Sequence, residues 1–203
     1  TRVPRTSQRT RAEAGISSQA THSGDIPLHY AAYNSQLPVV HLLLSVYPNG
    51  AALKNEDGLI PLHEALNNIA QAEVVQALVD AFPKGASVVD YDGKTPLQLA
   101  LYAECCSDVV EILLEAEPEC ARRIDTNGRI PLHYAAEHGR CEARTVRMLV
   151  SVFPDGAAQV DNRGFVVSRC PFPPNDTEYF DANGHSGYEL VPLCYCTREF
   201  VQN

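Results

Sequence analysis

The sequence predicts an all-α solenoid, a stack of helix pairs joined by β-turns, and three observations carry that expectation. A proline returns at Pro27, Pro61, Pro96 and Pro131, at intervals of 34, 35 and 35 residues. Each interval holds a second proline, at Pro48, Pro83, Pro118 and Pro154, with an alanine three residues later at Ala51, Ala86, Ala121 and Ala157. A turn dipeptide then leads into the next unit, as Asp57-Gly58, Asp92-Gly93 and Asn127-Gly128. Landmarks in fixed register at this period mark a repeat array.

The elements of one period follow from their residues in chain order. Asp-Gly and Asn-Gly accept positive φ, so each period opens on a tight turn. Proline then suits the first turn of a helix, where its missing N–H leaves no bond unmade. A short helix follows, Leu28–Asn34 in the first unit and Leu132–His138 in the fourth. A longer helix carries Val39-Val40 with Leu42-Leu43, Val74-Val75 with Leu78-Val79, and Val109-Val110 with Ile112-Leu113-Leu114. Those spacings place the apolar residues on one helix face. Pro38 fits the first turn of one such helix, and Asp108 with Glu111 has capping-box spacing for another. The second proline ends the longer helix. Neither helix can bury its stripe alone, so neighbouring units must stack.

The short helices open on Ile26-Pro27-Leu28-His29, Ile60-Pro61-Leu62-His63, Thr95-Pro96-Leu97-Gln98 and Ile130-Pro131-Leu132-His133. The runs His29-Tyr30-Ala31-Ala32 and His133-Tyr134-Ala135-Ala136 complete a pattern that resembles the Thr-Pro-Leu-His-x-Ala signature of ankyrin repeats. The resemblance covers residues 24–163 and implies a β-turn and two antiparallel helices per unit. In that family the signature threonine hydroxyl bonds the signature histidine. Here the threonine survives only as Thr95, so the imidazoles of His29, His63 and His133 are expected to find backbone partners. A Pro-x-x-Ala ending, as in Phe82-Pro83-Lys84-Gly85-Ala86, replaces the usual Gly-Ala ending and lengthens the period.

A fifth unit starts at Asp161 and Gly164 and fails at Val167-Ser168-Arg169. From Cys170 onward no helical period remains. The expected plan is a disordered basic arm at 1–23, a repeat domain at 24–163, and a degenerate fifth repeat with an irregular tail at 164–203. A stack needs a cap over its last unit. Either residues 164–203 supply it, or the natural chain continues differently.

Composition narrows the function. Hydrophobic residues are 45% and charged residues 20% of 203, a globular balance. No apolar run reaches the roughly 18–20 residues of a membrane-spanning helix. The net charge of −9 disfavours nucleic acid as a partner. Its distribution is uneven: +3 over residues 1–23, −9 over 24–163 and −3 over 164–203. Seven cysteines, Cys105, Cys106, Cys120, Cys141, Cys170, Cys194 and Cys196, make no disulfide framework. They read as reduced thiols, which places the chain in the cytoplasm or nucleus.

Three kinds of site are open to such a chain. Cys170, His185, Cys194 and Cys196 could ligate zinc, but their spacing fits no common zinc module, so no metal is expected. The repeated histidines lie one per unit, on the order of 10 Å apart, too far to act together. No phosphate-binding or metalloprotease motif is present, so neither enzyme activity nor cofactor is expected. Partner binding remains. By the resemblance, positions that vary between units on the turns and first helices line a concave groove for a partner protein. These are Tyr30, Tyr33, Asn34, Glu64, Asn67, Asn68, Lys94, Tyr102, Arg129, Tyr134, Glu137 and His138. For Tyr30 and Tyr134, packing between units is an equal alternative; Tyr33 and Tyr102 are expected to be exposed. The expected function is that of a monomeric scaffold or adaptor for another protein. The alternatives are a substrate-targeting segment of a larger ligase or kinase, suggested by the Thr1 start and the broken fifth unit, and a spacer without a dedicated partner. An autoinhibitory arm, residues 2–11 resting on the groove, is a further possibility.

Overall fold

Each repeat proline does start a short helix, and each apolar run after it forms a longer one. A computed structural model of the chain describes residues 23–68, 71–103, 105–137, 142–169 and 193–197. The first pair is α1 (Pro27–Tyr33) and α2 (Leu37–Val46), and the second is α3 (Pro61–Asn67) and α4 (Ala72–Ala81). The third is α5 (Pro96–Tyr102) and α6 (Ser107–Ala116), and the fourth is α7 (Pro131–Glu137) and α8 (Ala143–Val152). The residue ahead of each proline is extended where its angles are given, at φ −90° for Ile26, −92° for Ile60 and −82° for Thr95. Steric conflict with the proline ring favours that conformation and sharpens the helix start.

The second proline does more than end the longer helix. It opens a short 3₁₀ turn, at Pro48–Ala52, Pro83–Ser87, Pro118–Arg122 and Pro154–Ala158. Pro38 lies in the first turn of α2 as expected. The capping box expected of Asp108 and Glu111 does not mark the start of α6. That helix begins at Ser107 with Cys106 as its cap, two residues ahead of the expected cap, which puts Asp108 inside the first turn, where its charge suits the helix dipole.

The chain divides into two compact units, Thr1–Cys120 and Ala121–Asn203. In the first, α1, α3 and α5 pack in sequence as one layer and α2, α4 and α6 as a second. The core between them takes leucines from the first helices and valines and leucines from the second. Leu28, Leu62 and Leu97 are buried, as are Val40, Val74, Val75, Val109 and Val110. Ala32, Ala65 and Ala100 are fully buried and let the helices approach. Burying each leucine contributes about 2 kcal/mol. Asn68 Nδ2 donates to the Tyr33 carbonyl at 2.9 Å and Lys54 Nζ to that of Val89 at 3.0 Å, tying neighbouring repeats together.

In the second unit, α7 and α8 pack as a pair over Leu132 and Leu149. The fifth-unit turn forms: Gly164 has φ +85°, and its N–H donates to the Asp161 carbonyl at 3.0 Å. The chain then runs into a strand instead of a helix. β1 (Phe165–Arg169) pairs antiparallel with β2 (Leu193–Thr197), with Val167 opposite Tyr195. Without a proline to open a helix, Phe165-Val166-Val167 takes the extended form that aromatic and β-branched residues favour. The expected arm at 1–23 lies almost wholly outside the described residues.

Candidate partner-binding face

The first helix of each repeat is fixed at its start by one side chain. The N–H groups of Ile26 and Ile60 donate to Nδ1 of His29 and His63 at 3.2 Å, and that of Ile130 to His133 Nδ1 at 3.1 Å. An accepting Nδ1 places the proton on Nε2. From there His29 donates to the Leu59 carbonyl at 3.1 Å, just past the next β-turn, and His63 to that of Val88 at 3.2 Å, just past the 3₁₀ turn Pro83–Ser87. These are the backbone partners the missing threonine made necessary. Burial, the largest influence, lowers the pKa of His29 and takes that of His63 to about 4. Both rings are therefore neutral at pH 7. In the third repeat Gln98 Oε1 accepts the Thr95 N–H at 2.8 Å, and Thr95 Oγ1 accepts the Gln98 N–H at 3.3 Å.

The turns are braced from below. Asn55 Oδ1 accepts the N–H groups of Asp57 and Leu59 at 3.0 and 2.9 Å, and Asp125 Oδ1 those of Asn127 and Arg129 at 2.8 Å. Asp90 Oδ1 accepts from Lys94, and Asp161 Oδ1 from Arg163, both at 2.8 Å. Gly58, Gly93 and Gly128 adopt φ of +75°, +74° and +78° above them. None of these bracing side chains is among the anticipated contact residues. The sequence signal for them is an Asn or Asp three residues before Gly58, Gly93, Gly128 and Gly164.

Six of the anticipated contact residues are exposed in the first unit: Tyr30, Tyr33, Asn34, Asn67, Asn68 and Tyr102. Tyr33 and Tyr102, at 43% and 60% exposure, are open as expected, and Tyr30 is open at 50%. Glu64 and Lys94 are half-buried. Lys94 Nζ meets Asp92 at 3.2 Å. Tyr91, at 74%, was not anticipated and is the most exposed of the tyrosines so described. Its neighbours Asp90 and Asp92 place it on the turn, and its ring lies against Gly58.

Tyr134 is a correction. It is 1% exposed and cannot meet a partner directly. Its hydroxyl donates to Asp125 Oδ2 at 2.7 Å and accepts from Arg129 Nη2 at 2.8 Å, while the guanidinium carbon stands 4.2 Å from its ring centroid. Arg129 Nη1 also donates to Glu137 Oε2 at 3.0 Å. Arg129 is accordingly a half-buried network member and not a free turn-tip cation; Glu137 stays exposed but paired to it. Burial pushes the Asp125 carboxyl up, yet the Tyr134 hydroxyl, the turn N–H groups and the guanidinium together hold it below its ordinary value. His138 lies outside the described residues.

With helix pairs, turns and signature side chains in place, comparison with known families is decisive. The family model for ankyrin repeats in three copies matches at residues 10–88, 28–125 and 82–161. The chain belongs to the ankyrin repeat family. Comparison with curated proteins returns no match. Ankyrin repeats are generally protein–protein interaction modules. No helix among the described residues is long and apolar enough to cross a membrane. Among those residues no group of His, Cys, Asp and Glu could hold a metal ion; the zinc candidates Cys170 and His185 fall outside them.

Proposed function

We propose that this ankyrin chain is a non-catalytic, monomeric adaptor that grips a partner protein with the first helices and turns of repeats one to three. One observation carries this. Tyr30, Tyr33 and Tyr102 expose large rings on helices whose core needs are met by other residues. Tyrosine offers a rigid contact area with a polar tip and is enriched at interface hot spots. His29 and His63 support a structural role over a catalytic one, since both ring nitrogens of each bond backbone groups. The exposed thiol of Cys106 suits a cytoplasmic or nuclear setting.

The test is the double variant Tyr33→Ala/Tyr102→Ala in quantitative capture of a partner. We expect capture to fall at least about tenfold, as loss of hot-spot side chains does. The thermal midpoint should stay within about 2 °C, as for exposed positions. Capture equal to wild type would remove the face from consideration.

A further inference from the structure

A cavity of about 210 Å³ opens between the first two repeats, lined by Asp25, His29, Tyr30, Tyr33 and Glu64. One amide holds its two carboxylates: Asn55 Nδ2 donates to Asp25 Oδ1 at 2.8 Å and to Glu64 Oε1 at 3.3 Å. Burial first, and then the charge of Asp25, raise the Glu64 carboxyl above its ordinary value. Negative charge is thus concentrated where water is partly excluded, beside two exposed phenol rings. Among the described residues no Lys or Arg lines the cavity, and the His29 ring is kept neutral by its burial.

The same chain shows this chemistry completed. The residue two before the repeat proline is Lys94 in the third repeat and Arg129 in the fourth, but Asp25 in the first. In the fourth repeat the Arg129 guanidinium lies over the Tyr134 ring and donates to Glu137. Tyr134 occupies the helix position of Tyr30, and Glu137 that of Tyr33. A tyrosine face and flanking carboxylates there are satisfied by a cation from the turn. The first repeat keeps the rings and the acids and puts a carboxylate where the cation stood.

We propose that the cavity takes an arginine side chain of a protein partner, seated against the Tyr30 and Tyr33 rings and paired with Asp25 and Glu64. We build here on the partner-binding face proposed above and add the chemistry of the group that enters it. Arginine suits the site better than lysine, because a planar guanidinium stacks on a ring while its N–H groups reach carboxylates on either side. Its charge also offsets the repulsion between the two acids.

The probe is the peptide acetyl-Gly-Ser-Arg-Ser-Gly-amide, titrated into the full chain while backbone amide NMR shifts are followed. A citrulline peptide, isosteric and uncharged, is the control. We expect millimolar binding with shifts centred on Asp25, Tyr30, Tyr33 and Glu64, absent for citrulline. Glu64→Gln should weaken binding about tenfold, the scale of a charge-assisted bond. If that variant disturbs the fold, Tyr33→Leu at an exposed position serves instead, with weaker binding again expected. No shifts at these residues, equal shifts with citrulline, or unaltered affinity in the folded variant would overturn the assignment.

The chain's own arm is the competing source of arginine. Substituting Arg2, Arg5, Arg9 and Arg11 by Gln should leave the cavity amides in place when no peptide is present. Movement of those amides would make the arm the occupant and overturn the partner assignment. A silent titration with capture lost in Tyr33→Ala/Tyr102→Ala removes the cavity and leaves the face. A positive titration with capture unaltered does the reverse.

Discussion

Tyr30 and Tyr134 share the run His-Tyr-Ala-Ala and differ completely in exposure, 50% against 1%. Local pattern could not separate them. The difference lies five residues upstream of each, in Asp25 versus Arg129, and in Asp125 below. A second residue-level finding explains the isoleucine that replaces the signature threonine. A Cβ on Gly85 would stand 3.1 Å from the Phe82 ring and 3.2 Å from Ile60 Cδ1, and Gly50 and Gly156 are crowded in the same way by Tyr47 with Ile26 and by Phe153 with Ile130. Isoleucine, aromatic and glycine form one packed set in repeats one, two and four. The third repeat holds Thr95, Glu117 and Cys120 in those places. Gly85→Ala would crowd that set, at a cost of about 1–3 kcal/mol. A gain of about 0.4–1 kcal/mol from restricting the unfolded chain offsets part of this. We expect a net loss near 1 kcal/mol in urea denaturation, partly recovered by adding Ile60→Val, which deletes the crowding methyl. Unchanged stability in Gly85→Ala would show that the set has slack.

At the scale of the element, the signature histidine makes the stack sensitive to acid. Burial is the main cause of the low pKa of His63; Lys54 and His29 lower it further, and the Val88 carbonyl works against them. The ring titrates at its ordinary 6.5 when unfolded and at about 4 when folded. Between those values the unfolded state binds the extra proton, so stability is full above pH 6.5 and falls as pH is lowered towards 4. For this one ring the loss is about 3 kcal/mol. His63→Gln imports the residue that fills the slot in the third repeat, where Gln98 accepts the capping N–H. The variant should lose less stability than wild type between pH 7 and pH 4.5, read as urea midpoints; equal losses would place the acid sensitivity elsewhere. Helix pairs were legible in the sequence because proline, glycine and the apolar stripe repeat in register. The 3₁₀ turns and the true start of α6 were not: each turn closes on local bonds, such as Gly50 N–H to the Tyr47 carbonyl at 3.0 Å, that no residue pattern marks, and Cys106 is not an ordinary cap residue.

At the scale of the molecule, the fold is legible where it is periodic and illegible where it stops being so. The β1–β2 ladder joins segments far apart in the chain, and no local period announces such a pairing. The start of the array carries an apolar flank, with Leu42 and Val46 more than 60% exposed beside a cavity of about 240 Å³ lined by Ile26, Leu28, Leu43 and Tyr47. The exposed positions of the first helices were legible in part: the signature marks which helix positions packing leaves free, but not which of them a neighbouring charge draws inward. The net charge of −9 makes one molecule-wide prediction. Partner association should slow as sodium chloride rises from about 50 to 500 mM, with a smaller effect on dissociation, because steering acts before contact and is screened by salt. An association rate indifferent to salt, measured by surface plasmon resonance, would argue that the acidic body plays no part in encounter.

Cys120 fills the place that glycine takes in the other 3₁₀ turns and is fully buried, while Cys106 is at the surface. The chain therefore contains its own clock. An alkylating reagent should tag Cys106 on mixing and Cys120 only during the intervals when the third repeat opens. Peptide mass spectrometry of the two sites would time that opening without any engineered probe.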